Sequence, residues 1–259
     1  AGPRQEKGVQ ARLGVQNLLW EALLNMLRLL DTFSGIGGFS YAAERIVGGY
    51  ETVAFVEREP FCQKVLRKHW PDVPIFDDIT TYTPERGSAD VICGGFPCQD
   101  ISTAGKQAGI KEGTRSGLFY ELMRVVRLVG PQFVVLENVS AILANGLDDV
   151  LGELSQAGFD AEWACIPASA VGACHQRDRW WLVAYPSGQG LERLGEGWTT
   201  ANRFDTSWKQ YMSEPTLHRG DDGFSNRVDR IKSLGNAVVP QVAAIPLKRV
   251  RDLSEGDSS

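Results

Sequence analysis

Leu27-Arg28-Leu29-Leu30-Asp31-Thr32-Phe33-Ser34-Gly35-Ile36-Gly37-Gly38 is the stretch that decides the fold. An apolar, strand-like run from Leu27 to Phe33 breaks into a glycine turn, and a helix-like segment, Phe39–Val47, follows at once. Glycines at such a turn permit a tight bend and close backbone approach to a ligand, with the first helix amides aimed at it. The Gly35-Ile36-Gly37-Gly38 core taken alone is shared by many nucleotide-type sites. No Lys follows it, as a phosphate loop requires, and nothing marks a nicotinamide site.

Outward from that turn the same rhythm repeats. Strand-like runs at Thr52–Val56, Val91–Cys93, Phe133–Glu137 and Trp180–Ala184 alternate with helix-like segments at Pro60–His69, Phe119–Leu128 and Ala144–Gln156. The alternation predicts an α/β fold: a doubly wound sheet with ligands at the carboxyl ends of its strands. Composition shifts at Pro186. The segment Ser187–Asn226 is rich in Gly, Ser, Thr, Trp and Asp without a sustained period, and reads as irregular structure or a small recognition module. Helical character returns around Arg227–Leu234 and again from Gln241 onward. Residues Ala1–Asn25 are expected to be an extension of doubtful role, because Met26 stands just before the first convincing strand.

The 259 residues allow one large domain, or one domain with a small appendage. A hydrophobic share of 43% and a charged share of 23% are those of an ordinary soluble globular protein. No apolar run approaches the roughly 20 residues that span a bilayer, so no membrane association is expected. Five cysteines, an odd count without C-x-x-C spacing, read as free thiols in a reducing compartment, and so as cytoplasmic. The net charge of −5 speaks against nonspecific coating of nucleic acid. It leaves room for a nucleic-acid enzyme, since a local basic groove suffices to neutralise phosphates.

Chemistry-bearing residues collect at the strand ends. Glu57 follows Thr52–Val56, where an acid can bind the two hydroxyls of a ribose, and Asp78 follows in position to accept from an adenine amino group; singly, each also reads as a surface carboxylate. Gly94-Gly95-Phe96-Pro97-Cys98-Gln99-Asp100-Ile101-Ser102 places a thiol on a glycine-flanked turn after a strand, where a nucleophile can meet a substrate. Glu137 ends an apolar strand in Leu136-Glu137-Asn138-Val139; burial would raise its pKa towards that of a general acid, and a helix N-cap is the plainer alternative. Arg177 and Arg179 alternate at a strand start, so they are expected to point the same way, toward phosphate, carboxylate or a base carbonyl. Leu234-Gly235-Asn236-Ala237-Val238-Val239-Pro240 is a tight turn entering a helix. The spacing of Cys165, Cys174 and His175 fits no common zinc site, and no metal is expected.

In this order the motifs resemble those of the C5-cytosine DNA methyltransferase family, small bacterial or phage type. The match covers D-x-F-S-G-I-G-G-F, the acid of Val56-Glu57, D-I-T, G-G-F-P-C-Q-D-I-S, E-N-V, R-D-R and G-N-A-V-V-P, from Leu29 to about Ala244. The resemblance implies a Rossmann-like S-adenosylmethionine-dependent methyltransferase fold with a short, irregular DNA-recognition lobe. It implies that Phe33, Gly35, Gly37, Glu57, Asp78, Ile79, Pro97, Leu118, Asn236 and Val238 bind S-adenosylmethionine, with S-adenosylhomocysteine as product. Cys98 then corresponds to the nucleophile, Glu137 to the acid beside cytosine N3, Arg179 to the group near cytosine O2, and Arg177 to the other arginine of the pair. The implied activity is that of a DNA (cytosine-5-)-methyltransferase acting on a flipped-out base through a Cys98–C6 adduct. Double-stranded DNA is the expected partner and a monomer the expected state. The expected setting is restriction–modification or phage DNA protection, any cognate restriction endonuclease acting separately.

The resemblance also divides the chain: residues 26–185 catalytic and cofactor-binding, 186–226 a reduced target-recognition region, 227–250 a return to the catalytic domain, and 251–259 a tail. His175 stands where the family usually has Gln, and the recognition region of about 40 residues is shorter than is common there. A tRNA cytosine methyltransferase on the same scaffold is one rival; the Cys-Phe-Thr tripeptide of the eukaryotic enzymes of that type is absent, all five cysteines preceding Pro186. A catalytically silent nucleic-acid binder is the other, and it would have to lose Cys98, Glu137 or the glycine turn, all of which are present.

Overall fold

The computed structural model describes residues 26–97, 117–188 and 237–255. The opening stretch forms β1 (Leu27–Thr32), flanked in parallel by β2 (Tyr50–Val56) on one side and β4 (Val91–Gly95) on the other. A short β3 (Ile75–Phe76) continues beyond β2, and β5 (Phe133–Val139) beyond β4, both again parallel. Next to β5 lies β7 (Asp178–Pro186), antiparallel to it, and β6 (Phe159–Pro167) pairs antiparallel with β7. Among the described residues this makes one seven-stranded sheet, ordered β3-β2-β1-β4-β5-β7-β6, in which β7 alone runs against the rest. That reversal positions the site. The β6–β7 hairpin turns at the carboxyl edge of the sheet, so β7 begins where β1, β2, β4 and β5 end.

Six α-helices and a 3-10 turn at Ala168–Val171 complete the described residues: α1 (Gly38–Tyr41), which continues as a π-helical stretch over Ala42–Val47, α2 (Pro60–His69), α3 (Leu118–Val129), α4 (Ile142–Asn145), α5 (Leu147–Gln156) and α6 (Pro240–Glu255). Pro60 and Pro240 each open a helix, where the missing amide goes unneeded. The strand runs are almost continuously apolar because both faces of a doubly wound sheet are covered. On one face Ile92, Val134, Leu136 and Leu182 pack with Phe119, Leu122 and Met123 of α3 and Leu154 of α5. On the other, Leu29, Val91, Val135 and Trp181 pack with Phe39 of α1 and Val242, Leu247 and Val250 of α6. Each fully buried side chain of this kind contributes roughly 1.5–3 kcal/mol.

Four differences from the sequence reading lie at the sheet edge and at element ends. β6 was not expected, because it is an edge strand whose Asp160, Glu162 and exposed Trp163 interrupt the apolar pattern; the Arg249 guanidinium of α6 donates to Glu162 Oε1 at 2.7 Å and fastens it. The helix expected over Ala144–Gln156 is divided at Gly146 into α4 and α5. β4 and β5 run two residues further than expected, to Gly95 and Val139. α6 continues to Glu255, into the segment read as a tail. Residues 1–25, 98–116 and 189–236, and with them the helical character expected around Arg227–Leu234, lie outside the described residues. No helix among the described residues is long and apolar enough to cross a membrane.

Candidate active site

The site is built on the carboxyl edge of the sheet, starting from β4. Thr32 of β1 donates its hydroxyl to the Cys93 carbonyl at 2.7 Å, locking β1 to β4 where both end. The two glycines that follow have no positive φ, so close approach explains them rather than turn geometry. A Cβ on Gly94 would overlap the Thr32 hydroxyl, and one on Gly95 would stand 2.8 Å from Glu137 Oε2.

Glu137 sits inside β5, not at its exit, and so it is no helix N-cap. It is buried, 9% exposed, opposite Gly95 on β4 and Trp181 on β7. Arg179, two residues from Trp181 and on the same face, is its diagonal cross-strand neighbour and donates from Nε to Oε1 at 2.9 Å. Burial pushes the Glu137 carboxyl up to about 7, while Arg179 and Arg177 pull it back. Both protonation states are therefore populated near neutrality, the condition for a general acid.

The arginine pair divides. Arg177 precedes β7 with a left-handed backbone, φ 37°, so the alternation expected of two strand residues does not apply to it. Its guanidinium donates to the Ala237 carbonyl at 2.8 Å, while that of Arg179 goes to Glu137. Both line a small cavity with Glu137, Trp181 and Val238. Asn138, which the sequence reading passed over although it adjoins Glu137, points to the other side: Nδ2 donates to the Phe96 carbonyl at 3.2 Å, and Oδ1 accepts from Val139 N–H at 2.8 Å.

The glycine turn forms the second half of the edge. Phe33, Gly35 and Gly37 all take positive φ, at 52°, 55° and 85°. For Phe33 that conformation is strained by roughly 1–3 kcal/mol. Glu57, at the end of β2, accepts from Gly35 N–H at 2.7 Å and Glu59 N–H at 2.6 Å, and burial raises its pKa. Asp78 Oδ1 accepts from the amide and hydroxyl of Thr80, which lowers its pKa. Ile79 is buried, its carbonyl held by Arg124 of α3 at 2.6 Å, and Phe33 and Leu118 pack against the same apolar cluster. Beneath the turn, and also unread in the sequence, Asp31 is fully buried; its Oδ2 accepts from Ser40 N–H at 3.2 Å and Ser40 Oγ at 2.8 Å, and burial pushes it up to about 7. Val238 closes the turn from α6's side, 2.5 Å from where a Gly38 Cβ would be. Pro97 is described; Cys98 and Asn236 lie outside the described residues.

Two sets of side chains thus share one sheet edge: an acid–arginine pair beside the glycines of β4, and an acid-braced glycine turn. The model of the C-5 cytosine-specific DNA methylase family matches residues 27–227. The chain belongs to that family. Type II methyltransferase M.CviJI of Paramecium bursaria Chlorella virus IL3A is 33% identical over 219 residues, 82% of this chain and 56% of the viral protein. Type II methyltransferase M.HhaI of Haemophilus parahaemolyticus is 30% identical over 175 residues, 66% of this chain and 53% of that protein. The chain therefore spans about half the length of these methylase relatives. A solved variant of Spodoptera frugiperda DNMT2 shares the fold with a TM-score of 0.53 at 22% identity, over 66% of this chain and 54% of that one. Entamoeba histolytica methyltransferase EhMeth does so with a TM-score of 0.53 at 16% identity, over 62% and 53%.

Proposed function

We propose that the chain is a DNA (cytosine-5-)-methyltransferase that uses S-adenosylmethionine and attacks a flipped-out cytosine through Cys98. The observation that carries this reading is the buried Glu137, paired to Arg179 and lying against Gly95, three residues before Cys98. The glycine turn fits the cofactor: among the described residues, the chain neighbours of Gly35 aside, no atom stands within 4 Å of where a Gly35 Cβ would be, above amides braced by Glu57. Glu57 would hold the ribose hydroxyls and Asp78 the adenine amino group, with Phe33, Ile79 and Leu118 as the apolar lining and Pro97, Asn236 and Val238 completing the pocket. When bound, S-adenosylmethionine supplies an electrophilic methyl group and leaves as S-adenosylhomocysteine.

The chain's own residues do the rest. Cytosine C5 is a poor nucleophile. Addition of the Cys98 thiolate at C6, with Glu137 giving a proton to N3, turns C5 into an enamine carbon able to take a methyl group. Arg179 orients Glu137 and reaches toward cytosine O2. Loss of the C5 proton, expulsion of the Cys98 thiolate and return of the N3 proton to Glu137 restore the aromatic ring. Because C6 is shielded within a duplex, the base must leave the stack first. Duplex DNA is the partner, in a cytoplasmic, modification-type setting.

The test is transfer of isotopically labelled methyl from S-adenosylmethionine to unmethylated duplex DNA and, separately, to tRNA. The expected result is label in DNA alone, recovered as 5-methyl-2′-deoxycytidine after digestion and lost in Cys98→Ser. Label in tRNA alone, or wild-type activity in Cys98→Ser, would overturn the reading.

A further inference from the structure

We propose that Arg177 is a positioning residue that ties the base-side end of β7 to the cofactor turn, so that cofactor affinity depends on it before any DNA is bound. The inference rests on the methyltransferase reading above. Its geometry is a run of direct contacts. Arg179 engages Glu137; two residues earlier, Arg177 donates to the Ala237 carbonyl at 2.8 Å. The next residue, Val238, fills the space that a Gly38 side chain would need, 2.5 Å from its Cβ position. Gly38 is the first residue of α1, at the foot of the glycine turn.

Further observations support the assignment. Arg177 holds φ at 37°, a region that non-glycine residues enter only when their surroundings impose it. Glu137, Arg177, Arg179, Val238, Val239 and Val242 line one small cavity, so the base-side groups and the lead-in to α6 share a wall. The lead-in is itself anchored, since the Val239 carbonyl accepts from the amides of Val242 at 2.9 Å and Ala243 at 3.0 Å. Burial and the nearby Arg179 both lower the Arg177 pKa while Glu137 raises it, as expected of a guanidinium drawn into the fold rather than spread on a solvated face. An arginine serving only phosphate or base would leave the turn untouched. One that holds residues 237–239 against Gly38 reaches it directly.

The experiment is the dissociation constant for S-adenosylmethionine without DNA, by isothermal titration, in the wild type, Arg177→Met, Arg177→Lys and Arg179→Met. Arg177→Met is expected to weaken binding by about tenfold or more, the loss of one charge-assisted hydrogen bond. Arg177→Lys, which keeps a donor, restores part of it. Arg179→Met stays within about twofold of the wild type, because its partner is Glu137. Wild-type affinity in Arg177→Met overturns the proposal. Should that variant fail to fold, Val238→Ala, which removes methyls packed on Gly38, is expected to weaken binding in the same direction, and wild-type affinity there overturns the proposed route. Failure of the wild type itself to bind S-adenosylmethionine would instead overturn the methyltransferase reading beneath it.

Discussion

The Glu137 carboxylate rests against the bare α-carbon of Gly95, with Oε2 2.8 Å from the position a Cβ would take. This contact binds the acid on β5 to the strand that leads through Phe96 and Pro97 to Cys98. It also explains a glycine that no turn requires.

Replacing Gly95 tests the contact. Gly95→Ala forces the carboxylate to move, and a displacement of about 1 Å from productive geometry costs on the order of 100-fold in rate. The expected outcome in steady-state kinetics is a fall in kcat of that size, with the S-adenosylmethionine dissociation constant unchanged. An unchanged kcat would show that Glu137 is not at work there.

Glu137 also sets a pH dependence. Its carboxyl is pushed up to about 7 by burial, so the protonated acid proposed to serve N3 is depleted as pH rises through that value. Turnover under saturating conditions is expected to decline above about pH 7 with this acid limb. Glu137→Gln, which cannot supply the proton, is expected to lose 10²- to 10⁴-fold in rate, by order of magnitude, and to lose the limb as well.

Asp31 makes a separate, structural prediction. Its pKa rises from 3.8 in the open chain to about 7 in the fold, burial being the cause. Below about pH 4 both states are protonated and the group does not disfavour folding. Between 4 and 7 the unfolded chain releases a proton that the folded one keeps, so stability declines with rising pH, by up to about 4 kcal/mol. Asp31→Asn keeps an acceptor for Ser40 and removes the titration. Denaturant unfolding at pH 5 and pH 8 is expected to show a smaller drop for Asp31→Asn than for the wild type; equal drops would refute it.

Glu57 braces the turn through the Gly35 amide at 2.7 Å and is the acid proposed to hold the ribose hydroxyls. Glu57→Ala is expected to weaken S-adenosylmethionine by about tenfold or more. Equilibrium titration checks it, and an unaltered dissociation constant removes Glu57 from the ribose site.

The parts that sequence made legible are those buried on both sides. Val91–Cys93, Phe133–Leu136 and Trp180–Ala184 are continuous apolar runs because helices cover both faces of the sheet, and Leu27, Leu29 and Leu30 carry the same signal into β1. The edge strand β6 carries Asp160, Glu162 and an exposed Trp163, so nothing in its pattern demanded a strand. The reversal of β7 was invisible for a different reason: an apolar run has no direction, and only pairing with β5 assigns one. That same pairing shows Glu137 to be a mid-strand acid, whereas in sequence a carboxylate after four apolar residues looks like an exit. Arg177 and Arg179 read as a matched pair by spacing, but the left-handed backbone at Arg177 sends its guanidinium to Ala237. Asp31 and Asn138 stand inside the quoted motifs, but the sequence does not show what they hold: Asp31 takes the amide and hydroxyl of Ser40 in α1, and Asn138 the Phe96 carbonyl beyond β4.

The most direct measurement is methylome sequencing of DNA from a methylation-free bacterial host expressing the chain, with Cys98→Ser as the paired control. 5-Methylcytosine is expected in one short sequence context in the first culture and nowhere in the second. An unmodified genome, in cells whose soluble protein binds S-adenosylmethionine, would contradict it.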